Sequence, residues 1–233
     1  MREWSTRRRT RGAVVQIGII GAGFIGGTLT RRLTALGHDV RVANSRNPDT
    51  LAELAAETGA TAVWAAEAAQ DADLVIVSIP QKNTPDLAPG ILDARKENAP
   101  VIETNNYYPQ QRDGKIEEIE NGTPESVWVS ELLGVPVYKV FNGIYWKHLL
   151  EKGVPAGTAG RIALPIAGDD PAGKDIVSRI VDELGFDPVD AGPLAESWRQ
   201  QPGTPVYGKD YDVEKALKAL AEASPERTAD WRA

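Results

Sequence analysis

The sequence of 233 residues predicts an α/β fold in which helices cover both faces of a doubly wound parallel sheet. Three observations carry that reading. Short apolar runs alternate with helix-period segments from Val14 to beyond Phe186. One run, Leu74 to Ile79, reads LVIVSI and is apolar on both faces, as a strand covered on each side must be. A Gly-x-Gly-x-x-Gly pattern, Gly21 to Gly26, lies between the first apolar run and the first helical segment.

The elements follow in order. Val14 to Ile20 (VVQIGII) predicts a strand that stops at Gly21, and Ile25, Leu29, Leu33 and Leu36 then recur at helical spacing until Gly37 ends the helix. His38 to Ala43 alternates as a second strand. Asn47 and Pro48 open the next helix with a cap and an N1 proline; Leu51, Leu54 and Ala55 form its inner face until Gly59. Thr61 to Trp64 reads as a short strand, Ala65 to Gln70 as a helical turn, Leu74 to Ile79 as the fourth strand, and Pro100 to Thr104 as the fifth, followed by the polar segment Asn105 to Gln111. Val135 to Phe141 is the next expected strand, and Gly143 to Lys152 a helix carrying Trp146, Leu149 and Leu150. Arg161 to Ala167 and Phe186 to Val189 flank a helix capped by Asp170-Pro171, with Ile176, Val177, Ile180, Val181 and Leu184 inward and Gly185 as its stop. Asp212 to Ala223 is the last helix, after a segment from Gly192 to Gly208 that holds three prolines, Trp198 and Tyr207.

Composition narrows the function. Thirty-three acidic residues against 26 Lys plus Arg give a formal charge of −7, which argues against nucleic acid as a partner, since phosphate binding needs clustered positive charge. The absence of cysteine excludes disulfides, thiolate catalysis, iron–sulfur clusters and Cys-ligated zinc. His38 and His148 are too few for a His-rich site, so no metal is expected. No apolar run approaches the roughly 20 residues that span a bilayer, and no signal-peptide core follows the Arg-rich leader, so the expectation is a cytoplasmic protein without a membrane partner. Residues 1–12, MREWSTRRRTRG, read as a disordered leader.

The glycine motif carries the chemistry. Gly21, Ala22, Gly23, Phe24, Ile25 and Gly26 follow a strand and open a helix, the context of a dinucleotide-binding turn in a Rossmann-type sheet. Gly21 permits the tight turn, Gly23 lets backbone touch a pyrophosphate, and Gly26 lets helix and strand pack closely, while the helix N-terminus offers free N–H groups to the phosphates. The second strand ends in Asn44, Ser45 and Arg46 with no acid to hold a ribose 2′-hydroxyl. Asn44 and Ser45 can donate hydrogen bonds and Arg46 can pair with a 2′-phosphate, which favours NADP(H) over NAD(H). The nicotinamide is expected beside the loops after the fourth and fifth strands: Ser78, Ile79 and Pro80 on one, and Asn105, positioned to bond a carboxamide, on the other. Tyr107, Tyr108, Lys139, Asn142, Tyr145 and His148 are further candidates for the same cleft. No nucleophile–base or carboxylate pair stands out, so no residue is assigned as catalytic.

These residues resemble a known family. The stretch IGIIGAGFIGGTLTRRLTALGHDVRVANSR, the Leu74–Pro80 strand, and RIALPIAGDDPAGK at Arg161 to Lys174 are similar to NADPH-dependent F420 reductases, to which the cytosolic domains of STEAP metalloreductases are related. The Ser45–Arg46 pair and the segment Ala167 to Asp170 are its more specific parts. The resemblance implies an NADP-binding domain at residues 13–142 and a C-terminal α/β part at 143–233, extending the same sheet or forming a small lobe, that completes the cleft for a second substrate. It further implies hydride transfer between nicotinamide and the ring of coenzyme F420 or a flavin. The alternatives are an NADP-dependent dehydrogenase or imine reductase acting on a small carbonyl or imine, with Tyr107, Lys139 or His148 as its acid, and a non-catalytic NADP-binding module. Trp198, Pro202, Pro205 and Tyr207 suggest either a homodimer interface or a segment folded back on its own domain.

Overall fold

The computed structural model describes residues 13–233; the expectation for the leader at residues 1–12 lies outside them. The first half is a βαβ succession: β1 (Gln16–Ile20), α1 (Phe24–Leu36), β2 (Asp39–Ala43), a 3₁₀ turn at Pro48–Leu51 running into α2 (Ala52–Thr58), β3 (Thr61–Ala62), α3 (Ala65–Ala68), β4 (Leu74–Val77) and β5 (Val101–Glu103). Stops and caps act as their chemistry requires. Gly37 and Gly59 end α1 and α2 in the left-handed region, at φ +95° and +80°, and the Asn47 side chain accepts from Asp49 N at 2.9 Å.

After β5 come α4 (Glu117–Glu120), α5 (Glu125–Leu133), β6 (Tyr138–Lys139) and α6 (Trp146–Glu151). The six strands form one parallel sheet in the order β3-β2-β1-β4-β5-β6. Ile19 lies opposite Val42 on one side and Ile76 on the other. The chain reverses its direction of travel across the sheet between β1 and β4, and that switch point opens a crevice at the carboxyl ends of the strands.

The remaining elements are β7 (Ala163–Ile166), α7 (Pro171–Glu183), β8 (Asp187–Asp190), a 3₁₀ segment at Leu194–Gln200 and α8 (Val213–Ala221). β7 and β8 pair in parallel as a separate two-stranded sheet. An antiparallel bridge joins this lobe to β6: Lys139 N donates to Ala167 O at 2.9 Å, and Ala167 N returns to Lys139 O at 3.2 Å. One apolar cluster runs through both parts, from Ile17, Leu29 and Ile76 to Ile162, Val177 and Phe186. Arg32 of α1 fastens them further, donating to the carbonyls of Leu149 and Leu150 at the end of α6 and of Leu184 at the end of α7, at 3.1, 2.8 and 2.6 Å. Among the described residues no helix is long and apolar enough to cross a membrane, and no His/Cys/Asp/Glu group could hold a metal ion.

Two expectations are corrected. The strand expected over Val135–Phe141 shrinks to two residues, and the helix expected from Gly143 starts at Trp146. Both follow from Phe141, which sits at φ +64° and turns the chain off the sheet edge before α6 can begin. Between Gln111 and Val135, where no element is expected, α5 buries Trp128 and Val129.

Candidate active site

The site is built around the turn between β1 and α1. Gly21 has φ +109°, and a Cβ there would lie 2.1 Å from Ser78 O, so only glycine fits between β1 and the loop after β4. At Gly26 a Cβ would come within 1.8 Å of Gly21 O, so α1 starts directly on the turn. Gly23 is the opposite case: it is exposed, and a Cβ would meet nothing within 4 Å. It is also the N-cap of α1 and no side chain caps it, leaving the first-turn amides without a side-chain partner beside the open space at Gly23. Ala22 and Ile25 turn inward against the core. A bare backbone hollow with unpaired N–H groups at a positive helix end suits a pyrophosphate.

Asn44, Ser45 and Arg46 follow β2 beside this hollow. Asn44 shapes the turn, its Oδ1 accepting from Arg46 N at 2.8 Å and its Nδ2 donating to Thr50 Oγ1 at 3.0 Å. Ser45 and Arg46 are exposed, and the Arg46 guanidinium has no hydrogen-bond partner among the described residues. The loops after β4 and β5 are tied together. Thr104 Oγ1 donates to Ser78 Oγ at 2.9 Å, and Asn105 Oδ1 accepts from Ile79 N at 3.2 Å. Asn105 is buried and its Nδ2 lies 3.5 Å from Thr84 Oγ1, so its amide braces the loop pair; Ile79 and Pro80 remain half-buried on the cleft side.

The remaining candidates separate. Tyr107 is fully buried, donating from its hydroxyl to Glu120 Oε1 at 3.0 Å and accepting from Ile116 N; burial pushes its hydroxyl up to about 12. Lys139 is fully buried against Glu103 at 3.1 Å. Neither is open to a substrate. Asn142 locks to Asn106 through reciprocal amide contacts of 2.9 and 3.1 Å and donates to Gln200 O at 2.7 Å. The hydroxyls of Tyr108 and Tyr207 share a hydrogen bond. His148 is partly exposed, with Nδ1 at 3.0 Å from Asp210 Oδ1, and Lys152 Nζ lies 2.7 Å from the same carboxylate. Burial pushes the Asp210 carboxyl up, but the bonds from Lys152 and His148 outweigh it and hold it below the usual range. Of the segment read as an interface, Pro202 is buried, Trp198 and Tyr207 are half-buried and Pro205 is exposed; Arg199 lies over the Trp198 ring of its own chain at 4.4 Å.

Two features were not anticipated. Phe24, 74% exposed, stacks nearly parallel on Trp146 with ring centroids 5.3 Å apart, and Tyr145, 50% exposed, is tilted against Trp146. Phe24 and Trp146 open α1 and α6, the helices that follow β1 and β6, so the aromatic surface stands at the carboxyl edge of the sheet. The second is a wholly buried charge cluster of Glu103, Glu125 and Lys139, reached by Arg227 from the C-terminal segment. An acid closing the apolar run VIE was its one visible sign in the sequence.

Residues 16–107 match the family of NADP oxidoreductases, coenzyme F420-dependent. The chain is 47% identical over 67 residues to the protein YjhV of Escherichia coli K12, a match covering 29% of this chain and 49% of that one, so it spans about half the length of the curated relative. Among solved structures, it is similar to a hypothetical protein of Sinorhizobium meliloti, with a TM-score of 0.71 and 29% identity over 85% of this chain and 95% of that one. It shares its fold with an Arthrobacter sp. FB24 protein assigned by name to the F420-dependent NADP-reductases, with a TM-score of 0.62 and 19% identity over 78% and 87% of the two chains.

Proposed function

We propose that this protein is an NADP-dependent oxidoreductase that passes hydride between the nicotinamide and the flat ring of a deazaflavin such as coenzyme F420, or of a flavin. The Phe24–Trp146 stack carries the reading: a large aromatic face left open beside the glycine turn costs free energy unless a flat partner covers it. The fate of Tyr107 and Lys139 supports it, since both are committed to interior partners and neither is offered to a carbonyl oxygen.

The residues divide the work. The backbone of Gly21 to Gly26 receives the pyrophosphate, with Gly23 allowing the closest approach. Arg46 and Ser45 receive the 2′-phosphate on the turn that Asn44 sets. Ile79 and Pro80 wall the nicotinamide, and Asn105 fixes that wall from behind. NADPH, when bound, supplies the hydride; NADPH, the oxidised ring and one proton give NADP and the reduced ring. Holding two rings face to face supplies rate through proximity and orientation, and this chain needs no acid at the reacting carbon for that.

His148 supports a second reading. It is oriented by Asp210 and its Nε2 has no partner among the described residues, the arrangement of a general acid for a small carbonyl or imine. Anaerobic NADPH oxidation, with F420, FMN and a panel of carbonyls and imines offered separately, decides between them. The ring reading expects turnover with F420 or FMN, varying little with pH and falling less than about tenfold in His148→Gln. Turnover with carbonyls or imines alone, and a loss of about 10²–10⁴ in that variant, would overturn it.

A further inference from the structure

We propose that Arg227 is a positioning residue: through a buried chain of charges it sets the loop after β5, whose Asn105 braces the nicotinamide wall of the cleft. The inference rests on the functional reading above for what that loop faces.

The chain begins at the loop itself. The Asn105 backbone is gripped at both ends, its N–H donating to Glu103 Oε2 at 2.7 Å and its carbonyl accepting from Lys139 Nζ at 3.0 Å. Lys139 Nζ lies 3.1 Å from Glu103 Oε1, which also accepts from Ser126 Oγ. The same ammonium stands 3.7 Å from Glu125 Oε2, an oxygen with no hydrogen-bond partner. The other Glu125 oxygen takes Arg227 Nη2 at 2.5 Å. Glu103, Glu125 and Lys139 have no exposed side-chain surface, and Arg227 is 13% exposed.

Two carboxylates and two cations balance in a space that excludes water. Lys139 faces both carboxylates, and Arg227 is what lets it stay with Glu103 and Asn105. Without Arg227 one negative charge is left over. Lys139 is then drawn toward Glu125, or Glu125 takes up a proton, and an uncompensated buried charge is among the costliest states a protein interior can hold. Burial already pushes the Glu125 carboxyl up, against the pull of Lys139 and Arg227. The groups facing it are Glu103 from β5, Lys139 from β6 and Arg227, with the Tyr107 ring under the guanidinium at 5.2 Å and the Tyr207 hydroxyl nearby.

The segment that carries Arg227 holds the same loop from outside. Trp231 packs on the rings of Tyr108 and Tyr207, with centroids at 5.9 and 6.3 Å. Gln110 Nε2 donates to the carbonyls of Ala229 and Arg232 at 3.1 and 2.9 Å. A Cβ on Gly203 would strike Trp231 at 2.5 Å, so the indole is seated in a place made for it.

The test compares wild type, Arg227→Met and the double variant Glu125→Gln/Arg227→Met, each below its own melting temperature. The readouts are NADPH affinity, kinetics with F420 and FMN, and amide hydrogen exchange of the peptide spanning 103–113. In more acid buffer, which favours a proton on the Glu125 left without its guanidinium, Arg227→Met should approach wild type. In mildly alkaline buffer its kcat/KM for the ring acceptor should fall about tenfold and its 103–113 amides should exchange faster than those of wild type in the same buffer, with NADPH affinity falling less, because its phosphates are held at Gly21–Gly26 and Arg46. The double variant should lose that pH dependence. Equal impairment of both variants at every pH, or unaltered exchange at 103–113 in Arg227→Met, would overturn the proposal. The exchange readout needs no acceptor, so it stands even if neither ring is a substrate.

Discussion

Replacing Arg46 by Ala tests how the chain selects its dinucleotide. The guanidinium is exposed and engages no described residue, so the substitution removes nothing that holds the fold, and the melting temperature should stay within the scatter of surface substitutions. What it removes is a charge-assisted contact to the 2′-phosphate. Such contacts contribute about 1.5–3 kcal/mol when sheltered, and exposure on this turn places the expected value near the lower end, about 1–2 kcal/mol. At 1.4 kcal/mol per factor of ten, NADPH affinity should weaken roughly 5- to 30-fold. NADH lacks the phosphate and should lose less than about twofold. Calorimetric titration of both dinucleotides into both proteins measures the ratio directly, and repeating it at higher ionic strength should narrow the wild-type preference, because the contact is open to screening ions. An equal loss for NADPH and NADH would refute the role given to Arg46.

The two glycines of the turn should fail in different ways. Gly26→Ala drives a methyl into Gly21 O and should cost about 3 kcal/mol of stability by urea unfolding, whereas Gly23→Val should cost under about 1 kcal/mol and yet abolish NADPH binding, because it fills the open hollow. Lys139→Met leaves two buried carboxylates with Arg227 as their one cation and should cost about 4 kcal/mol. The sign of its pH dependence follows from Glu125: a carboxyl raised by burial favours folding in acid and withdraws that support as pH rises through its folded value, so unfolding curves should show the largest loss in alkaline buffer.

Much of the fold is legible because its signals are local. The Gly21–Gly26 spacing, the Asn47 and Asp170 caps and the two-faced run at Leu74 each state a backbone requirement within a few residues, and β1, α2, α7 and β4 lie where those residues put them. The end of β6 was not legible, since nothing in the letters Val140-Phe141-Asn142 marks a left-handed phenylalanine; it depends on the Asn106–Asn142 and Asn142–Gln200 bonds, made with residues 36 and 58 positions away. The site divides in the same manner. The hollow at Gly23 and the free Arg46 could be read from motif chemistry. Asn105 lies in the loop after β5 with its amide bracing the loop after β4, and whether an amide faces a ligand or braces a neighbour depends on contacts far along the chain. Tyr107 and Lys139 looked available for chemistry only because burial is not written in residue type.

Arg32 has a consequence for how the chain acquires this shape. Its guanidinium closes three carbonyl bonds whose acceptors lie 117 to 152 residues downstream, and it counters the negative ends of α6 and α7 together. Burial lowers the proton affinity of a group that nonetheless stays charged, so until those carbonyls arrive an early-folded βαβ half must keep Arg32 in water. Closing loops of such length is slow, and the dinucleotide half cannot reach its final packing as an autonomous kinetic unit. Refolding should therefore proceed as one late, cooperative step in which α1 is completed only when α6 and α7 dock, and a nascent chain would remain dependent on its C-terminal lobe until that lobe has been made.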